Sequence, residues 1–126
     1  MKFKLVVSIT AVLTFINGIS LLVVPGMFIA TLGGSLTGSG LMIARFAGAC
    51  ALGLSLVLWQ IRNIQVSSMQ RSITGIMLGV MFALLVIDLH GILTGAVNPL
   101  GWIIFSTDLL VEVGFLFVLY TGTVKS

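Results

Sequence analysis

The chain has 126 residues, of which 59% are hydrophobic and 7% charged, whereas an ordinary soluble domain carries about 25% charged residues. Six Lys or Arg and three Asp or Glu cannot clothe a soluble core of this length, so a water-soluble globular domain is excluded. The net charge of +3 comes from basic residues dispersed singly or in one terminal pair, with no basic stripe or run, which argues against nucleic acid as a partner.

A helix needs about 20 mainly apolar residues to cross the roughly 30 Å hydrocarbon core of a bilayer. Four segments meet that requirement within a single integral membrane domain spanning 1–126. The first runs from Leu5 to Val24 and is stopped by Pro25 and Gly26. Its start, Lys2-Phe3-Lys4 before an apolar run, also has the form of a secretory signal. The run is longer than the 7 to 15 residues of a signal core, however, and no A-x-A-like site precedes Pro25, so helix 1 is read as a retained span. Residues 27–32 are apolar but too short to span, and they either extend helix 1 beyond Pro25 or lie in the outer interface. The glycine and serine stretch from Gly33 to Gly40 reads as an external loop. It lacks the Lys of a phosphate-binding loop, and no strand precedes it.

The second span runs from Leu41 to Ile61, the third from Ser72 to Leu93, and the fourth from Gly101 to Tyr120 after Asn98-Pro99. Lys2, Lys4, Arg62, Arg71 and Lys125 all fall on one side, and the loops at residues 25–40 and 94–100 carry no Lys, Arg, Asp or Glu. Since cytoplasmic loops retain Lys and Arg, both termini are expected in the cytoplasm. Trp59 and Tyr120 fall near the cytoplasmic ends and Trp102 near the outer end, as an aromatic belt requires. The expected fold is all-α, a four-transmembrane-helix bundle. Ala44, Gly48, Ala47, Ala51 and Ser55 on helix 2, and Gly75 and Gly79 on helix 3, recur at four-residue spacing. They are expected to form the bundle seam, with a homodimer face as the alternative.

All three acidic residues lie within spans: Asp88 on helix 3, and Asp108 and Glu112 on helix 4. An ionised Asp at a helix centre costs about 2.5 to 3.5 kcal/mol to insert, so such groups face the bundle interior or a partner. At 1.5 Å per residue, Arg45 lies about 6 Å in from the outer end, Asp88 about 8 Å, Asp108 about 10 Å and Glu112 about 16 Å. His90 is close to the outer surface. One cation among three acids leaves at least one acid neutral, and Glu112, the deepest, is the candidate. Asp108 is the expected partner of Arg45, with Asp88 competing for it and Asn17 as a hydrogen-bond partner for Glu112. Two readings stand side by side: an interhelical ion pair that fixes helix register, or an outward-facing polar site for a proton, a cation or the head of a lipophilic ligand.

Nothing in the sequence calls for a metal, a cofactor or a catalytic residue. Asp88-x-His90 puts two donors on different helix faces. Cys50 is the only cysteine and reads as a small packing residue, and Met77 and Met81 read as apolar filling. Arg45-Phe46-Ala47-Gly48, followed by Gly53 and Trp59, together with the Gly18 to Pro25 exit from helix 1, resembles small bacterial four-helix membrane proteins of the DoxX-like type. The resemblance covers most of the chain in layout, and its signature is Arg-x-x-Gly on helix 2. It implies a bacterial inner-membrane bundle, in a group where some members are membrane subunits associated with thiol or quinone oxidoreductases. It assigns no active site, and Asp108 and Glu112 match no motif of it.

Three functions follow as expectations. The leading one is a non-catalytic accessory or self-associating membrane subunit, with the bilayer and a membrane protein or a second copy as partners. The second is a proton- or cation-coupled carrier using Asp108 and Glu112. The third is a membrane enzyme acting on a quinone, sterol or lipid, in which Glu112 donates a proton and Arg45 holds a polar head.

Overall fold

The computed structural model describes residues 2–121. Five helices follow one another: α1 (Lys2–Val23), α2 (Pro25–Thr31), α3 (Ser39–Ile61), α4 (Ser67–Leu93) and α5 (Gly101–Thr121). Among the described residues there is no strand. Four of the five, α1, α3, α4 and α5, are long and apolar enough to cross a membrane. They match the four expected spans, and the fold is an all-α bundle. Lys125 lies outside the described residues.

The helices run further than the apolar segments do. α4 begins at Ser67, five residues before the expected span, because hydropathy marks where lipid ends and backbone hydrogen bonding continues into water. Residues 27–32 do not continue α1. Residues 27–31 belong to the separate helix α2, of about two turns, which starts on Pro25 after a break at Val24 (φ −130°, ψ 53°) and is capped by Leu32. Proline suits that first helical position, where its missing N–H costs nothing. α2 closes on Gly33 at φ +83°, with Gly33 N–H donating to Ala30 O and Gly34 N–H to Ile29 O. That paired bonding is a Schellman end, and it needs the left-handed residue that glycine supplies.

α1 packs most extensively on α3, α4 packs on α5, and α1 against α5 joins the two pairs. α1 thus stands between α3 and α5. The α1–α3 seam closes on two glycines: a Cβ on Gly18 would lie 2.8 Å from Leu52 N, and one on Gly48 would lie 2.7 Å from Leu22 N. Backbones this close gain dispersion contact that lipid cannot match. Gly48 therefore sits in the seam as expected. Gly75 and Gly79 do not: they are exposed, with nothing within 4 Å of an added Cβ, and α4 meets the bundle through Gln70, Thr74, Met77 and Met81 instead.

Phe3, Val7, Ala11, Leu58, Met77, Met81, Val111, Phe115 and Val118 form one core drawn from all four long helices. It lies towards the end that carries both chain termini. There Lys2 Nζ donates to Thr121 O at 3.3 Å and stands 5.0 Å from the centre of the Phe117 ring. At the opposite end Asn98 ties α2 to the α4–α5 turn, through Asn98 N–H to Leu32 O at 2.9 Å and Asn98 Nδ2 to Thr31 O at 2.9 Å. Only 11% to 22% of each spanning window is buried within the chain. Side chains such as Phe46 (71% exposed), Phe82 (64%) and Leu110 (72%) face outward, a surface that water does not tolerate and lipid does. The chain is an integral membrane protein of four spans.

Candidate functional site: the intramembrane charges

α5 carries Asp108 and Glu112 one turn apart, and both are half-buried. α4 carries Asp88, also half-buried, on the same face as Met77 and Met81. Packing α4 on α5 brings the Asp88 and Asp108 carboxyl groups within hydrogen-bonding reach of each other. A carboxylate only accepts, so two carboxyl groups share a hydrogen bond when one of them holds a proton. Asp88 Oδ2 and Glu112 Oε2 are both buried and have no hydrogen-bond partner. Such atoms are costly in an apolar interior unless the carboxyl is neutral or a partner arrives from outside.

The cation is elsewhere. Arg45 is exposed on α3, and α3 lies against α1 rather than in either of the close α4–α5 or α1–α5 packings. No ion pair forms among the described residues, so the expected pairing of Arg45 with Asp108 or Asp88 is absent within one chain. The physical reason is the packing: α3 lies closest to α1, and Arg45 is exposed on it rather than buried against α4 or α5. Asn17 does not meet Glu112 either. α1 and α5 run antiparallel, with Val6 beside Gly114 and Leu13 in the groove that Thr107 lines. That register sets Asn17 further towards the Asn98 end than Glu112, and Asn17 is exposed.

His90 is exposed in the last turn of α4, and its carbonyl accepts from Thr94 N–H at 3.0 Å and Thr94 Oγ1 at 2.7 Å. Among the described residues no three His, Cys, Asp or Glu side chains converge as metal ligands would. Cys50 is exposed on α3. A groove of about 300 Å³ between α1 and α5 is lined by Val6, Thr10, Leu13, Thr107, Val111 and Gly114 among others. Glu112 is not part of its lining, so this groove does not supply the substrate pocket that an enzymatic Glu112 requires.

Three buried polar residues escaped the sequence reading: Thr10, whose Oγ1 donates to Val6 O at 2.8 Å, Gln70 and Thr74. Gln70 donates from Nε2 to Ile64 O at 2.6 Å, closing the α3–α4 turn. Thr74 is fully buried, with Oγ1 unpartnered. The signal was present, since residues 70, 74, 77 and 81 follow helical spacing on one face, but a span taken to begin at Ser72 left Gln70 outside it. At the ends of the bundle the Arg62 guanidinium stacks 3.6 Å from the centre of the Trp59 ring, and Trp102 meets Phe105 edge-on at 5.6 Å. Comparison with known proteins finds no match to this chain among family models, curated proteins or solved structures.

Proposed function

We propose that the chain is a non-catalytic subunit of a larger membrane assembly, an accessory or self-associating bundle of the DoxX-like type in the bacterial inner membrane with both termini in the cytoplasm. One observation carries this reading: the intramembrane charges are not satisfied within the chain. Arg45 is exposed on α3 without a carboxylate partner, while Asp88 and Asp108 face each other and Asp88 Oδ2 and Glu112 Oε2 lack donors. Ionisable groups in a span are expensive and pair wherever a counter-charge is present, so a chain that leaves both signs unpaired is suited to a partner that supplies the complement. The one-sided placement of Lys2, Lys4, Arg62 and Arg71 supports the cytoplasmic termini.

The test is the intact mass of the complex taken from its native membrane in mild detergent. A mass above that of one 13.3 kDa chain, with a second protein chain present, is the expected result. A bare single chain would overturn the reading.

The Asp88–Asp108 contact favours a second reading, proton handling, because such a pair holds a proton that can be exchanged. In that case proton flux in liposomes is lost in Asp108→Asn while the protein still inserts. Equal flux in wild type, Asp108→Asn and protein-free vesicles would dismiss it.

A further inference from the structure

Arg45 occupies an apolar surface: Met42 is 72% exposed, Ile43 69% and Phe46 71%. A guanidinium there needs an anion or a route to the headgroups. Its own chain offers no anion: no ion pair forms among the described residues, and α3 packs most closely on α1. The depth of the charges, counted at 1.5 Å per residue, shows where one is available. Arg45 is about 9 Å from the Ser39 end of α3, Asp88 about 8 Å from the Leu93 end of α4, and Asp108 about 10 Å from the Gly101 end of α5. All three ends lie on the same side of the bundle, away from the chain termini. Copies of one membrane protein insert the same way up, so a neighbouring copy holds its carboxyl pair at the level of Arg45. A carboxyl pair holding one proton would carry a single negative charge, which one guanidinium cancels.

From this we infer that the partner of Arg45 is the Asp88–Asp108 pair of a second copy of this chain, with α3 of one copy lying beside the α4–α5 hairpin of the other. The inference rests on the subunit reading above and goes further in naming the partner. Of the long helices, α3 packs closely on α1 alone and α4 on α5 alone, so each copy offers both halves of the contact. A two-fold axis along the membrane normal then makes the contact twice and closes the dimer.

Two charge-reversed variants carry the test. One is Arg45→Asp; the other combines Asp88→Asn with Asp108→Arg. Alone, each sets like charges against each other in a self-pair. Together, every contact joins opposite charges, and no rearrangement within one chain can do the same. The variants carry different tags, are expressed singly and together, and are recovered in polymer nanodiscs, with pairs counted by tag capture.

Wild type is expected to pair, and each variant alone, which loses both contacts, to lose pairing about a hundredfold, the factor that 1 to 2 kcal/mol for each of two polar interhelical contacts implies. The co-expressed variants should recover wild-type pairing as mixed pairs only. Self-pairing of either variant at the wild-type level would overturn the inference and show Arg45 reaching the headgroups. Failure of the mixture to recover, with both variants inserted and helical by circular dichroism, would overturn it too. If a reversed variant does not insert, Arg45→Gln and Asp88→Asn with Asp108→Asn replace the pair. Their mixture keeps one contact of two and must pair more than either alone; equal pairing in all three samples would overturn the inference. Wild type isolated with a different protein and no second copy would overturn the inference but leave the subunit reading. A single bare chain would overturn both.

Discussion

At the scale of single residues, the bundle depends on what is missing as much as on what is present. Gly48 was legible as one of a row of small residues, but its partner Gly18 was not, because spacing along one helix does not say which helix it will meet. Adding a methyl group in Gly48→Ala places a Cβ 2.7 Å from Leu22 N and 2.8 Å from Gly18 O. Those are backbone atoms, so the helices must separate. A loss of about 1 to 3 kcal/mol, typical of overpacking, is expected as a lower thermal unfolding midpoint in detergent; an unchanged midpoint would show the seam to be looser. Thr74 makes the opposite case. Its hydroxyl is buried and unpartnered, and valine keeps the shape without the polar atom. Thr74→Val is expected to raise stability by about 1 kcal/mol, and a lower midpoint would mean that the hydroxyl is bonded in the membrane.

At the scale of helices, the sequence was most informative. Bilayer thickness sets a length of apolar residues that few other structures need, so the four spans could be located from hydropathy with glycine and proline as stops. Helix ends were harder, as the early start of α4 at Ser67 shows, because lipid is not what ends a helix. Pairing was harder still. The four-residue rows on α3 and α4 look alike in sequence, yet Gly48 lies in a seam and Gly79 faces outward with nothing within 4 Å of an added Cβ. Gly79→Leu is accordingly expected to leave the unfolding midpoint unchanged or higher, since leucine is the better helix former, whereas a marked loss would place Gly79 in a contact. The loops give the orientation its test. In a Cys50→Ser background, Thr37→Cys is expected to react with a membrane-impermeant maleimide on intact cells and Gln65→Cys only after permeabilisation. The reverse pattern would invert the bundle.

At the scale of the whole molecule, the candidate site was half legible. The sequence singled out Arg45, Asp88, Asp108 and Glu112, because charge in an apolar span stands out whatever the fold. Their grouping was out of reach, since it depends on α1 standing between α3 and α5, a fact of packing order that no residue encodes locally. Depth alone made Arg45 and Asp108 look like partners; within one chain no ion pair joins them among the described residues, and the partner proposed for Arg45 lies in a second copy. The account therefore turns on a charge in one chain being completed from another. The most direct measurement is the number of chains per particle in nanodiscs cut straight from the native membrane, for wild type and Arg45→Gln side by side. The expected result is more than one membrane chain per particle for wild type and a single chain for Arg45→Gln. An Arg45→Gln protein as fully assembled as wild type would contradict the account.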